Sequence, residues 1–283
     1  MTRVLGIDVG GTKVAIGVST ADGPALSAHV RLDTGPDTLA RALAAARALD
    51  GAPTAVGFST CGVIRDGVVR LAPNVPGWEG LELPRLLQEA YGATPVAIDN
   101  DVNAAAAAEL RWGALRGIST GVYLNLGTGL AAALVVDGRV VPGAHGAAGE
   151  IGYLQVTPGE PAFADGRVPL EERVSGGALA ARGAALLGRP VTAAELLGGG
   201  HARKLVDEVL RTLAMSVANL CVVLDPERLV VGGGMMGAAE LILPRLTAEV
   251  GRAVPFPPEV RPARFADDAP LLGALALARA AVA

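Results

Sequence analysis

The chain has 283 residues, 51% hydrophobic and 18% charged, with a net charge of −4. That composition excludes a disordered chain, and the length predicts about two domains with real cores. The acidic balance speaks against nucleic acid as a partner, and no apolar run approaches the roughly 18 residues of a membrane span.

The chain opens on Leu5-Gly6-Ile7-Asp8-Val9, a strand that runs into Gly10-Gly11-Thr12-Lys13, continues through apolar residues 14–18 and closes at Asp22-Gly23. This reads as strand, glycine-rich turn, strand and Asp-Gly turn. Such a glycine turn can bring bare backbone N–H groups close to an anion, because no Cβ stands in the way. Lys13 is one of only two lysines in a chain that otherwise uses arginine. A flexible point charge there suits phosphate as well as plain solvent. Beyond the hairpin the pattern predicts a helix over 37–49 and a short strand over 55–58 entering Ser59-Thr60-Cys61-Gly62. A turn at Asp66-Gly67 and a loop over 73–77 follow. Residues 83–91 read as a helix, 96–99 as a strand and 102–112 as an alanine-rich helix, with Gly113 and Gly117 flanking a hinge between domains.

The second half begins by repeating the first. Val122-Tyr123-Leu124-Asn125-Leu126 runs into Gly127-Thr128-Gly129, then apolar 130–136, and closes at Asp137-Gly138. Two such hairpins, one per half, suggest two related domains gripping a polyphosphate. A glycine-rich loop over 143–152 and an irregular stretch over 157–169 come next. Helices are expected over 176–187, 193–197 and 202–223, a strand over 229–231 entering Gly232-Gly233-Gly234, and helices over 238–250 and 271–282. Mixed strands and helices in this order mean α/β architecture. The first two glycine turns lead into strands rather than helices, which disfavours a dinucleotide-binding fold.

Ile98-Asp99-Asn100-Asp101-Val102-Asn103 is the sharpest polar cluster. One member can cap the following helix, but four polar residues exceed what a cap needs. A carboxylate at this junction can accept a proton from a substrate hydroxyl that Asn100 orients. Glu150, in Gly149-Glu150-Ile151-Gly152-Tyr153, and the pair Glu171-Glu172 are further carboxylates; Glu172 reads as solvated. Carboxylates with asparagine suit polyhydroxyl ligands. Gly232 to Gly234 fit either a nucleotide contact or a tight packing turn. His29 and His201 read as surface residues. His145 lies near the candidate site, but one histidine is no metal signature. Cys61 and Cys221 are too few for a disulfide framework and no signal-peptide pattern opens the chain, so a cytoplasmic setting is expected.

Asp8-Val9-Gly10-Gly11-Thr12-Lys13, Asn100-Asp101-Val102-Asn103, Gly127-Thr128-Gly129, Gly149-Glu150-Ile151-Gly152, Leu170-Glu171 with Ser175-Gly176, and Leu224-Asp225-Pro226-Glu227 before Gly232-Gly233-Gly234 resemble the ROK family, in order and across nearly the whole chain. The family holds sugar kinases and sugar-responsive repressors of the actin-like ATPase superfamily. The resemblance implies two ribonuclease-H-like domains with a central cleft, a smaller one over 1–115 and a larger one over 116–270, with the helix at 271–283 free to pack back on the first. It implies ATP-dependent phosphorylation of a hexose or hexosamine. Asp101 is then the base, and Gly62, Asn100, Glu150, Tyr153 and Glu171 accompany it at the sugar. Asp8, the turn at Gly10, Gly11, Thr12 and Lys13, the turn at Gly127, Thr128 and Gly129, and Gly232, Gly233 and Gly234 hold nucleotide. Asp8 positions Mg²⁺ through water. A homodimer is expected on the same analogy.

The sequence departs from the family at its zinc site. No cysteine lies between Tyr153 and Glu171, and Tyr153 stands where the family has a zinc-binding, sugar-touching histidine. A zinc-less branch is the expectation. Two other readings keep the fold: a kinase using polyphosphate, and a non-catalytic sugar-binding member. A repressor-type sensor would carry an added DNA-binding region ahead of the first glycine turn, and Asp8 stands almost at the start of the sequence.

Overall fold

Strands β1 (Val4–Val9) and β2 (Lys13–Ser19) form the first glycine hairpin, and β3 (Ala28–Asp33) extends it as an edge strand. The chain then runs through α1 (Thr38–Leu49), β4 (Ala55–Thr60), the small hairpin β5 (Val63–Arg65) and β6 (Val68–Arg70), α2 (Leu83–Tyr91), β7 (Val96–Asn100) and α3 (Asp101–Trp112). The second hairpin is β8 (Gly121–Leu126) with β9 (Leu130–Val136) and β10 (Arg139–Val140). It is followed by α4 (Glu171–Val174), α5 (Gly176–Leu187), α6 (Ala193–Gly198), α7 (Arg203–Leu224), β11 (Arg228–Gly232), α8 (Ala239–Ala253), β12 (Glu259–Pro262) and α9 (Ala269–Ala280). The computed structural model describes residues 2–72, 75–200, 202–266 and 268–282. His201 and the loop residues Pro73 and Asn74 lie outside the described residues.

The chain divides into two compact units. The first is Met1–Arg116 with Pro142–Ala148 and Asp268–Ala283; the second is Gly117–Val141 with Gly149–Asp267. The first sheet has the order β3-β2-β1-β4-β7 and the second β10-β9-β8-β11-β12. In each, three strands pair antiparallel through the hairpin and the remaining two add in parallel. The sequence repeat is thus a repeat of sheet topology.

Every residue of β1 and β4 is buried, which matches their near-continuous apolar runs and the covering of both sheet faces. Leu5, Ile7, Val9, Ile16 and Phe58 pack against Ala42, Ala46, Leu83 and Leu87. α9 packs against β1, β4 and α3. Gly57 permits this: a Cβ there would stand 1.7 Å from the Ala274 carbonyl oxygen. In the second unit α7 buries Val206, Val209, Leu210, Leu213, Val217 and Cys221 at helical spacing, against β8, β11 and the Ile242, Leu246 and Val250 stripe of α8.

Most elements read from periodicity stand within a residue or three of their expected bounds. β3, β10, β12 and α4 were not anticipated. β3 does alternate, with His29, Arg31 and Asp33 exposed, but its short edge run lacks strong turn signals. β12 ends on Pro262, which an edge strand tolerates. α4 is one turn long and has no periodicity to detect. The Asp137-Gly138 turn closes β9 onto β10, both residues having positive φ. Asp22-Gly23 makes no such tight hairpin, since β2 ends at Ser19 and β3 starts only at Ala28.

Candidate active site

In the first unit, residues 10–12 turn between β1 and β2. Gly10 N–H donates to the Lys13 carbonyl at 2.9 Å, Thr34 Oγ1 donates to the Gly10 carbonyl at 2.7 Å, and Thr34 N–H donates to the Thr12 carbonyl at 3.1 Å. Gly11, Thr12 and Lys13 remain exposed at the tip. Asp8, one residue before the end of β1, is 6% exposed. Parallel pairing sets it opposite Ser59 of β4, whose hydroxyl donates to Asp8 Oδ1 at 2.7 Å. Burial pushes the Asp8 carboxyl up to about 7. The Ser59 bond opposes that rise, the charge of Asp101 adds to it, and the Lys13 ammonium opposes it.

At the end of β7, Asn100 adopts the extended conformation of a helix cap, and its Oδ1 accepts from Asn103 N–H at 2.7 Å. Asp99 Oδ1 accepts from Asn100 N–H at 2.9 Å and from Asn103 Nδ2 at 2.8 Å. Three of the four polar residues at this junction, Asp99, Asn100 and Asn103, hold one another. The amide oxygen of Asn100 accepts the capping bond, and its NH₂ group is a donor that it can offer a ligand. Asp101 is the carboxylate this network does not consume. It begins α3, and burial lifts it to about 6 against the pull of the Val102 and Asp101 N–H groups. A base with such a value is poised near neutral pH. Cys61 lies in the field of both Asp101 and Asp8, and burial pushes its thiol up to about 12, leaving it neutral and inert.

Gly62 has φ 75°, and a Cβ there would stand 2.4 Å from the Arg70 carbonyl oxygen. The fold alone accounts for that glycine. Trp78 Nε1 donates to Thr60 Oγ1 at 2.7 Å beside it. His145 is exposed.

In the second unit, residues 127–129 turn between β8 and β9, with Gly127 N–H donating to the Gly129 carbonyl at 3.1 Å. The start of α5 lies against this turn. Gly176 N–H donates to the Gly127 carbonyl at 2.9 Å and Gly177 N–H to the Thr128 carbonyl at 3.0 Å, while Ser175 Oγ caps the helix by accepting from Ala178 N–H. Alongside opens a cavity of about 680 Å³ whose wall includes Gly127, Thr128, Gly177, Gly234, Met235 and Leu241. A mostly apolar pocket abutting a glycine turn fits a flat base next to phosphates. Gly232 and Gly233 do not line it. A Cβ on Gly232 would meet the Tyr123 hydroxyl at 2.3 Å, and one on Gly233 the Leu126 carbonyl oxygen at 2.5 Å, so both serve packing.

Glu150 precedes a 3-10 turn at Ile151–Tyr153 and is half-buried. Gly149 before it has φ 87° and presses on β9, its carbonyl accepting from Ala132 N–H at 2.8 Å. Tyr153 meets the Phe163 ring edge-on at 5.5 Å. Glu171 Oε2 accepts from Leu130 N–H at 2.8 Å. The irregular stretch beyond Tyr153 is laced by carboxylates. Glu160 accepts from the N–H groups of Val156 and Thr157 and pairs with Arg173, and these contacts, led by Thr157, pull it down to about 2. Glu172 accepts from Arg167 and from Val168 N–H. Among the described residues no three His, Cys, Asp or Glu side chains are grouped to hold a metal, and no helix is long and apolar enough to cross a membrane.

Ser59 is the site residue that sequence reasoning missed. Its only signal is the register of two parallel strands, which local pattern does not carry.

The ROK family profile matches residues 4–281. An N-acetylmannosamine kinase of Shigella flexneri is 32% identical over 290 aligned positions, covering 98% of each chain. Among solved structures, a ROK hexokinase from Thermus thermophilus has a TM-score of 0.81 at 34% identity, covering 99% of both chains. A ROK family glucokinase from Streptomyces griseus, in complex with glucose and AMPPNP, has a TM-score of 0.79 at 28% identity, covering 98% of this chain and 99% of that one.

Proposed function

We propose that this chain, which belongs to the ROK family and is a sugar kinase, uses ATP to phosphorylate a hydroxyl of a hexose or hexosamine with Asp101 as general base. The observation that carries this reading is the Asp101 carboxyl itself. It is left over by the capping network, starts α3, and titrates near 6. In the transfer, the sugar hydroxyl gives its proton to Asp101 and its oxygen bonds the γ-phosphorus. The bond from that phosphorus to the bridging oxygen breaks, and ADP carries the electron pair away. The NH₂ group of Asn100 faces the task of orienting a sugar oxygen, and Glu150, Tyr153 and Glu171 are assigned to further hydroxyls. Backbone amides of the turns at 10–12 and 127–129 suit phosphate oxygens, and Lys13 adds a point charge. The cavity at the second turn favours a nucleoside-bearing donor over bare polyphosphate.

Magnesium fits the donors present. Asp8, buried near the end of β1 beside the first glycine turn, offers a hard oxygen, and Mg²⁺ is usually held by one or two carboxylates plus phosphates and water. Bound there, it would neutralise charge on the transferring phosphoryl group, and Asp8 would hold it through water. Zinc does not fit residues 154–170, which hold no Cys or His and whose carboxylates, Glu160 and Asp165, already accept from backbone N–H groups.

The test is a coupled kinase assay across hexoses and hexosamines with ATP and with polyphosphate. Asp101→Asn is expected to keep the fold and lose about 10²–10⁴-fold in kcat. A purified variant with near-wild-type turnover overturns the assignment. The assembly is proposed to be a homodimer, and a monomeric mass in light scattering at micromolar concentration contradicts that.

A further inference from the structure

Glu171 occupies a position that its assignment to the sugar does not require. Its Oε2 accepts from Leu130 N–H at 2.8 Å, and the same oxygen stands 2.8 Å from where a Cβ on Gly129 would be. The carboxylate thus braces the last residues of the glycine turn at 127–129. The rest of Glu171 is fastened to the segment carrying Glu150 and Tyr153. Its Cβ lies 3.2 Å from a Cβ built on Gly152, and Leu170 N–H donates to the Gly152 carbonyl at 3.0 Å. The Glu171 carbonyl accepts from Ser175 N–H at 3.0 Å, and the α5 start that Ser175 caps grips Gly127 and Thr128. Oε1 has no hydrogen-bond partner among the described residues.

We infer that Glu171 is a positioning residue that couples sugar occupancy to nucleotide affinity, one carboxylate oxygen on a sugar hydroxyl and the other on the backbone of the phosphate turn. This rests on the sugar-kinase reading above. A hydroxyl donating to Oε1 fixes the carboxylate, the carboxylate fixes Leu130 N–H and the adjoining Gly129, and the turn is ordered before phosphate arrives. Because a coupling free energy is reciprocal, nucleotide must raise sugar affinity by the same factor.

Calorimetry measures this directly on the full chain. Glucose and N-acetylmannosamine are each titrated with and without AMPPNP–Mg²⁺, and AMPPNP–Mg²⁺ with and without sugar. Wild type is expected to show a reciprocal gain of about 5-fold or more, within the usual range for coupled sites. Glu171→Ala is expected to bring that factor to about 1, whatever it does to sugar affinity alone. Glu171→Gln retains an acceptor for Leu130 N–H and a polar group for the sugar, so it keeps much of the coupling while binding sugar more weakly. Should the alanine variant fail to fold, Glu171→Asp, one methylene too short to span both partners, takes its place. Full coupling in a folded Ala or Asp variant overturns the inference, as does wild type binding both ligands independently. Wild type that binds neither sugar nor AMPPNP overturns the sugar-kinase reading and this inference with it.

Discussion

Asp101 and Asp8 are two carboxylates whose surroundings resist charge. Burial raises Asp101 to about 6 and Asp8 to about 7, and the charge on Asp101 is one reason for the second value. The base must be ionised to accept a proton, so kcat/KM is expected to climb as pH rises through about 6 to 7 and level off above. A pH–rate profile checks this, reporting the pair rather than either residue alone. Stability of the ligand-free protein runs the other way. The folded carboxyls hold protons more tightly than unfolded ones, so their favourable contribution is present at low pH and is lost as pH rises through about 6 and about 7. Melting temperatures of wild type between pH 5 and 8 are expected to fall more steeply than those of Asp101→Asn. Equal slopes contradict the raised value at Asp101. Asn100 carries a different lesson at this scale: its oxygen caps α3 while its NH₂ group can donate to a ligand.

Among the elements, α9 and the carboxylate-laced stretch beyond Tyr153 show how packing substitutes for other devices. α9 returns from the far end of the sequence to lie on β1 and β4. Its backbone comes so close to Gly57 that even a methyl group displaces it. Gly57→Ala is therefore expected to destabilise the protein by about 1–3 kcal/mol or more, the usual cost of overpacking, read as a lower urea midpoint. An unchanged midpoint contradicts the close approach. Between Tyr153 and the end of α4, Glu160, Asp165 and Glu172 accept from backbone N–H groups, while Arg173 and Arg167 pair with carboxylates. The Tyr153–Phe163 edge contact adds an apolar clamp. These contacts order the segment by means that need no metal. Tyr153→His is expected to change sugar preference or KM without creating a zinc site, because structural zinc almost always takes four ligands. One zinc per chain in either protein after dialysis against chelator contradicts this.

Over the whole molecule, two sheets share one topological plan, and the sequence announced it. The two glycine hairpins, the helical stripes of α5, α7 and α8, and the strands β4, β7 and β11 were legible because each is written within a few consecutive residues, as alternation, 3.6-residue periodicity or a glycine turn. The ordered motifs from Asp8 to Gly234 carried the family and the reaction class for the same reason. What the tertiary structure alone decided is how the polar groups are spent. Ser59 bonds Asp8 across 51 residues because β1 and β4 pair in parallel at one register. Glu171 bonds Leu130 across 41 residues because α4 lies against the second glycine turn. Gly232 and Gly233 look like nucleotide glycines in the sequence, yet Tyr123 and Leu126 claim their space. A residue type states which bonds it can make, whereas the partner it finds depends on strand register and helix placement set by the packing of the entire core.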